Sequence, residues 1–206
     1  MNECSETSNN EKRHEPATVA TTQPKITMSG GFWFDVQQDL QRHTPAARGS
    51  FRRILVCLAT ILLSSGFHAM VLHRIGFKLF QLHLRPLAFV TEKVIYHLYH
   101  CCIPSSAVIG PGVWLPHCLG IVIAKDAVVG AGVTIHQHVQ LLRGAAFRPP
   151  RIGDGVWLSP ASQVVGINIG EDTFVAAGAV VVKNCPPRQF AAGVPANFKP
   201  KELNGV

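Results

Sequence analysis

Between Ile103 and Val182 an aliphatic side chain returns at every sixth residue, and this period restricts the fold more than any other feature. One frame reads Ile103, Ile109, Leu115 and Ile121; a second reads Val129, Ile135 and Leu141. A third reads Ile152, Leu158 and Val164, and the last Ile169, Val175 and Val181. Glycine follows at once at Gly110, Gly130, Gly153 and Gly170, and small side chains are common two residues on. Neither a helical period nor the alternation of a lone strand produces that spacing. Hexads with one aliphatic place build a parallel β-helix, with three flat faces per coil and the aliphatic stack pointing inward. Each coil buries little alone, so several must stack and something must close the ends.

The rest of the chain divides around this stack. Residues 1–31 are polar and poor in large apolar groups, which predicts a disordered tail. Phe32, Trp33 and Phe34 open the ordered part, and Asp35 to His43 suits a short helix. From Ile54 to His73 no Asp, Glu, Lys or Arg occurs, a length approaching the ~20 residues of a membrane span. Ser64, Ser65, Gly66, His68 and His73 interrupt it, so a buried helix pair is expected, with membrane-surface attachment and a true span as alternatives. The pattern stays helical to His100, with Pro86 placed for a first helical turn. The fold class is therefore α+β, with a helical domain over 32–100, a β-helix over 101–185 and a tail over 186–206. Between Leu141 and Ile152 the text LRGAAFRPPR breaks the period and reads as an extruded loop.

With 47% hydrophobic residues the chain can form a real core, and 18 Gly and 14 Pro suit a β scaffold of many turns. The formal net charge of +7 favours anionic partners: a CoA-type phosphate, a lipid headgroup layer and a nucleic acid all match its sign. The six cysteines show no paired spacing, which predicts free thiols in a reducing compartment.

Several motifs then resemble one family. Gly66-Phe67-His68-Ala69 with Arg74-Ile75-Gly76 is similar to the helical domain of the serine acetyltransferases. Gly112 to Ile123, containing Leu115-Pro116-His117, resembles that family's histidine coil. Ala176 to Lys183, with Gly193-Val194-Pro195-Ala196, resembles its last coil and exit. The resemblance spans about residues 50–197 and implies a left-handed β-helix that moves an acetyl group from acetyl-CoA to a hydroxyl. Such a transfer needs a base near neutral pH, which an imidazole supplies. His117 is the matching residue. The resemblance places acetyl-CoA between coils of adjacent subunits, with Ala177 and Gly178 leaving room for the pantetheine arm and Lys183 meeting phosphate. Arg188 and Lys199 are further phosphate candidates, and Arg148 is the candidate for an acceptor carboxylate.

Several features depart from the family, among them a loop about three residues shorter and no acidic residue near Phe51. Cys102 stands where an aspartate orients the base, Pro116 where an aspartate holds the serine ammonium, and Pro149 where the loop has histidine. L-Serine is the acceptor the resemblance implies, on the route to cysteine, and a sugar or polysaccharide hydroxyl is the alternative. Two other classes compete: a zinc site of His117, His136 and His138 between subunits, and a non-catalytic scaffold. The acyltransferase reading takes no metal and no nucleic acid, and places the protein in the cytoplasm as a homotrimer or dimer of trimers. The tail at Leu203–Val206 resembles in character one that docks into cysteine synthase.

Overall fold

A computed structural model describes residues 23–44 and 50–201. Helices α1 (Phe32–His43), α2 (Ser50–Leu63), α3 (Ser65–Gln81) and α4 (Arg85–Tyr99) precede the stack. Ser64 caps α3 by accepting the Phe67 N–H, and Pro86 sits in the first turn of α4. His100, in the left-handed region, closes α4 and hands the chain to the first coil.

Twelve short parallel strands follow, two to four residues each. The first sheet joins β1 (Val108–Ile109), β3 (Val128–Val129), β6 (Arg151–Ile152) and β9 (Asn168–Ile169). The second joins β2 (Val122–Ile123), β5 (Gln140–Leu142), β8 (Gln163–Val165) and β11 (Val180–Val181). The third joins β4 (Thr134–Ile135), β7 (Trp157–Leu158), β10 (Phe174–Val175) and β12 (Gln189–Ala192). Bridges at Cys102, Trp114 and Cys185 carry the sheets further into the first and last coils. Every aliphatic residue of the four hexad frames is at most 3% exposed. These are the coils of a left-handed β-helix, and six residues is the usual distance from one face to the next, stretched to eight between Leu115 and Ile123, the inward residue of β2.

The helices are tied to the first coil by a buried ionic cluster. Arg74 on α3 pairs with Asp39 (Nε to Oδ2, 3.1 Å) and Asp35 (3.6 Å) on α1. Its remaining donors reach the carbonyl oxygens of Ile109 and Gly110, while the Gly112 N–H donates to Asp39 Oδ1 at 2.9 Å. Gly66 lies where α3 meets the stack, and a Cβ there would collide with the Leu115 carbonyl oxygen. Its place in the motif is thus a matter of contact. The Leu115 N–H donates to His43 Nε2 (3.3 Å), so Nδ1 carries the proton that is given to the Asp39 carbonyl (2.8 Å).

Two buried histidines make this arrangement acid-sensitive. Burial lowers the pKa of His43, and burial together with the Arg74 charge pushes that of His73 down to about 3. Both fold neutral and would gain a proton on unfolding near the ordinary histidine value of about 6.5. Their stabilisation is therefore complete above about pH 6.5 and is lost as pH falls from there toward the folded-state values. Within that window each costs up to about 1.4 kcal/mol per pH unit. Urea midpoints at about pH 7.5 and about pH 5 should differ accordingly, and His73→Leu should flatten the dependence. A midpoint unchanged between the two pH values would exclude the account.

The structure corrects three sequence expectations. Residues 23–31, assigned to the disordered tail, are placed, and Lys25 and Thr27 are hydrogen-bonded to the stack. Asp154 holds them, accepting from the Thr27 N–H (2.7 Å) and Thr27 hydroxyl, while its own N–H donates to the Lys25 carbonyl. Residues 1–22 and the tail from Glu202 lie outside the described residues. The stack also continues past 185: Ala191 fills the inward place beside Val175, and β13 (Asn197–Pro200) pairs antiparallel with β12. The hexad reading stops early because a small alanine replaces the branched residue. Lastly, α3 is buried as expected, but α2 is not. Phe51, Ile54, Leu55, Leu58, Ile61, Leu62 and Leu63 are exposed. Among the described residues no single helix is long and apolar enough to cross a membrane; Ile54–Leu63 with Ser65–Gln81 reaches that length only as a pair bent by 71°.

Candidate active site

The edge between the third and second sheets is a column of stacked turns, one per coil. Pro116–Leu119, His136–His138, Ser159–Ala161, Ala176–Gly178 and Gly193–Pro195 follow one another along it. Backbone bonds fix the column: His138 N–H to Leu119 O (2.9 Å), Ala161 N–H to Gln137 O (3.0 Å) and Gly178 N–H to Pro160 O (3.0 Å). The first turn is two residues longer than the next, running from Trp114 to Val122 where its neighbour runs from Thr134 to Gln140. The extra length throws His117 outward, and its side chain is exposed.

Cys118 points the other way. Its sulfur lies 3.1 Å from that of Cys101, and both are buried. The thiol pair anchors the inner side of the turn, leaving His117 on the outer side. Gly120 lets the turn stack closely, since a Cβ there would run into the His138 ring. The described cysteines, Cys57, Cys101, Cys102, Cys118 and Cys185, are free.

His117, Ala177 and Gly178 therefore share one edge. Gly178 has φ +66° and open space where a side chain would stand. Arg148 and Lys183 lie on another edge, between the second and first sheets, and both are exposed. Arg148 ends the loop that leaves β5 through a short 3₁₀ turn (Ala145–Phe147), and Lys183 follows β11. Lys125 and Arg143 add cationic groups there, Arg143 paired with Asp126 at 2.8 Å. Arg188 and Lys199 sit elsewhere, the first before β12 and the second on β13 opposite Phe190. One chain thus carries His117, Ala177 and Gly178 on one edge and Arg148 and Lys183 on another, and the two edges flank the same sheet.

Sequence reasoning considered His136 only as a metal ligand, but the structure places it at the His117 edge. Its ring lies 5.2 Å from that of Trp157, with Nε2 buried and without a hydrogen-bond partner, as is Gln137 Oε1. Burial, and then the charge of His117, lowers the His136 pKa. Among the described residues no group of three His, Cys, Asp or Glu side chains is placed to hold a metal ion. Cys102 is exposed at the start of the second sheet, and the described turns of the His117 edge contain no carboxylate.

Comparison with known proteins gives this geometry a family. No family model matches the chain. It is 34% identical over 142 residues to the serine acetyltransferase of Escherichia coli K12, covering 67% of this chain and 52% of that protein. It superposes on soybean serine acetyltransferase complexed with serine at a TM-score of 0.74 and 31% identity, covering 82% of this chain and 69% of the other. The chain belongs to the serine acetyltransferase-like hexapeptide-repeat family. A serine acetyltransferase complex with CoA matches at a TM-score of 0.69 and 28% identity, over 82% of this chain and 67% of that one. The chain spans about half the length of the Escherichia coli relative.

Proposed function

We propose that the protein transfers an acetyl group from acetyl-CoA to the hydroxyl of L-serine or a similarly small acceptor, with His117 as general base. The observation that carries this reading is the shared edge of His117, Ala177 and Gly178. Three coil steps separate His117 from Ala177, about 14 Å at the spacing of neighbouring strands. An extended pantetheine chain covers that span, with its thioester beside the imidazole and its arm over the open face of Gly178. Neutral His117 takes the acceptor proton as oxygen attacks the thioester carbonyl. The C–S bond then breaks, and the departing CoA sulfur recovers the proton from the imidazolium.

In a single chain the His117 edge is an open ridge. Two surface hollows lie instead along α4, one lined by Phe80, Arg85 and Glu92 and the other by Val90, Lys93 and Leu98. A second copy related by rotation about an axis outside the stack and parallel to it would set its Arg148–Lys183 edge beside the His117 edge and turn the ridge into a groove. That juxtaposition supports a homotrimer, with Lys183 toward the CoA phosphates and Arg148 toward an acceptor carboxylate. The free thiols support a cytoplasmic setting. Docking of the C-terminal tail into cysteine synthase would use residues outside those described.

The absence of a carboxylate from the described turns of the His117 edge favours a second reading, in which the acceptor is a sugar hydroxyl needing no partner for an ammonium. Thiol release from acetyl-CoA, measured with L-serine, with a panel of sugars and with no acceptor, tests both readings. Serine-dependent release supports the first and sugar-dependent release the second. Release no faster than the blank with every acceptor would overturn the enzymatic assignment.

A further inference from the structure

We propose that α2 is a surface anchor that seats itself in one leaflet of an anionic lipid bilayer. The inference rests on the outer surface of the helix alone, independently of the acetyl-transfer reading. Among the described side chains of α2 only Thr60 is buried. With 3.6 residues per turn, the exposed apolar arc runs from Ile54 and Ile61, through Leu58 and Leu62, to Leu63. It covers more than half the circumference. Phe51, Leu62 and Leu63 are 75%, 71% and 81% exposed. A helix apolar over so wide an arc needs a cover on several sides.

The possible covers differ in shape and charge. A neighbouring helix, including one from a second copy, covers a single stripe. A lipid layer covers the whole arc. Between Asp39 and Glu92 the sequence contains no carboxylate, but it contains Arg48, Arg52, Arg53, Lys78 and Arg85 in addition to Arg42 and Arg74. Arg74 is neutralised in the interior by Asp35 and Asp39. A second copy would bring the same positive charge to the contact, whereas anionic headgroups complement it. Arg52 is exposed at the start of α2, where its long side chain can reach headgroups while the apolar arc sinks below it.

Length excludes a span by α2 alone, because fourteen residues rise only about 21 Å against a hydrocarbon core of about 30 Å. The 71° bend at Ser64 then turns the chain back into the protein, where Phe67, Ala69, Met70 and His73 of α3 are buried. The helix therefore enters from one side and leaves on the same side.

Sedimentation of the full chain with phosphatidylcholine vesicles, with and without phosphatidylglycerol, tests the proposal. Binding is expected to the anionic vesicles and to fall with added salt. Arg52→Gln should weaken partition about five-fold, the effect of one cation at an anionic surface. Leu58→Glu with Leu62→Glu should abolish it. All three positions are exposed, and far-UV circular dichroism checks that each variant keeps its fold. Equal recovery with and without anionic lipid overturns the proposal, as does unchanged binding of the double variant. Absence of binding, with a fall in oligomer mass by light scattering in the double variant, assigns the face to a second copy. Thiol release measured on the same preparations keeps failure of the anchor distinct from failure of the enzymatic reading.

Discussion

Arg74→Ala is expected to cost about 3–5 kcal/mol of folding stability, the range for removing one partner of a buried ion pair. The magnitude follows from what the guanidinium touches. It is 4% exposed and pairs with two carboxylates, Asp35 and Asp39, that are 2% and 0% exposed. It also satisfies the carbonyls of Ile109 and Gly110, in and just after β1, the edge strand of the first sheet. Burial raises the Asp39 pKa, and the Arg74 charge pulls against it. Without Arg74 the carboxyl must stay charged in an apolar setting or take up a proton, and the carbonyls lose a donor in either case. Denaturant titration of both proteins checks the loss. A companion variant separates charge from packing: Arg74→Met with Asp39→Leu should recover part of the stability, because a buried pair replaced as a unit leaves one fewer stranded charge. A cost below about 1 kcal/mol for the single variant would mean that the cluster does not join helices to stack.

The β-helix was legible because its constraint repeats. An inward aliphatic residue is required whenever the chain crosses a face, so each of the four frames reports the same geometry independently. Where the requirement relaxes, the reading fails: Ala191 fills its place with a small side chain, and the last coil is lost from view. The segment at Thr27 was illegible for a different reason. It is held by hydrogen bonds to Asp154, a residue 127 positions away, and contributes little apolar surface that a compositional argument could detect. The α2 expectation failed because an apolar run reveals that a segment avoids water, not what covers it. The site was half legible. Motifs nominated His117, Ala177, Gly178, Arg148 and Lys183, and counting coils places the first three on one edge. No pattern along a single chain shows that the other two stand across the second sheet. His136 passed as a metal candidate because the sequence does not show which residues of successive turns become neighbours.

His117→Ala should lower kcat for acetyl transfer by about 10²–10⁴-fold, the contribution of a positioned general base. The Michaelis constant for acetyl-CoA should change little, because the arm is proposed to lie about three coil steps along the column, over Ala177 and Gly178. Replacing Ala177 with a bulky residue should do the reverse, raising that constant by blocking the arm while leaving the imidazole in place. This split distinguishes a group that acts on the reacting atoms from one that shapes the groove. His117→Asn makes the test stricter, since it retains a polar side chain in the turn but cannot take a proton at neutral pH. Cys118 and its contact with Cys101 anchor the turn from the opposite side, so neither substitution at 117 removes the packing that holds it. Initial rates for the two variants, with the acceptor that supports turnover in the native protein, decide the matter. Turnover within a few-fold of native in His117→Asn would remove the imidazole from the proton transfer and leave the longer turn of the first coil without a chemical role.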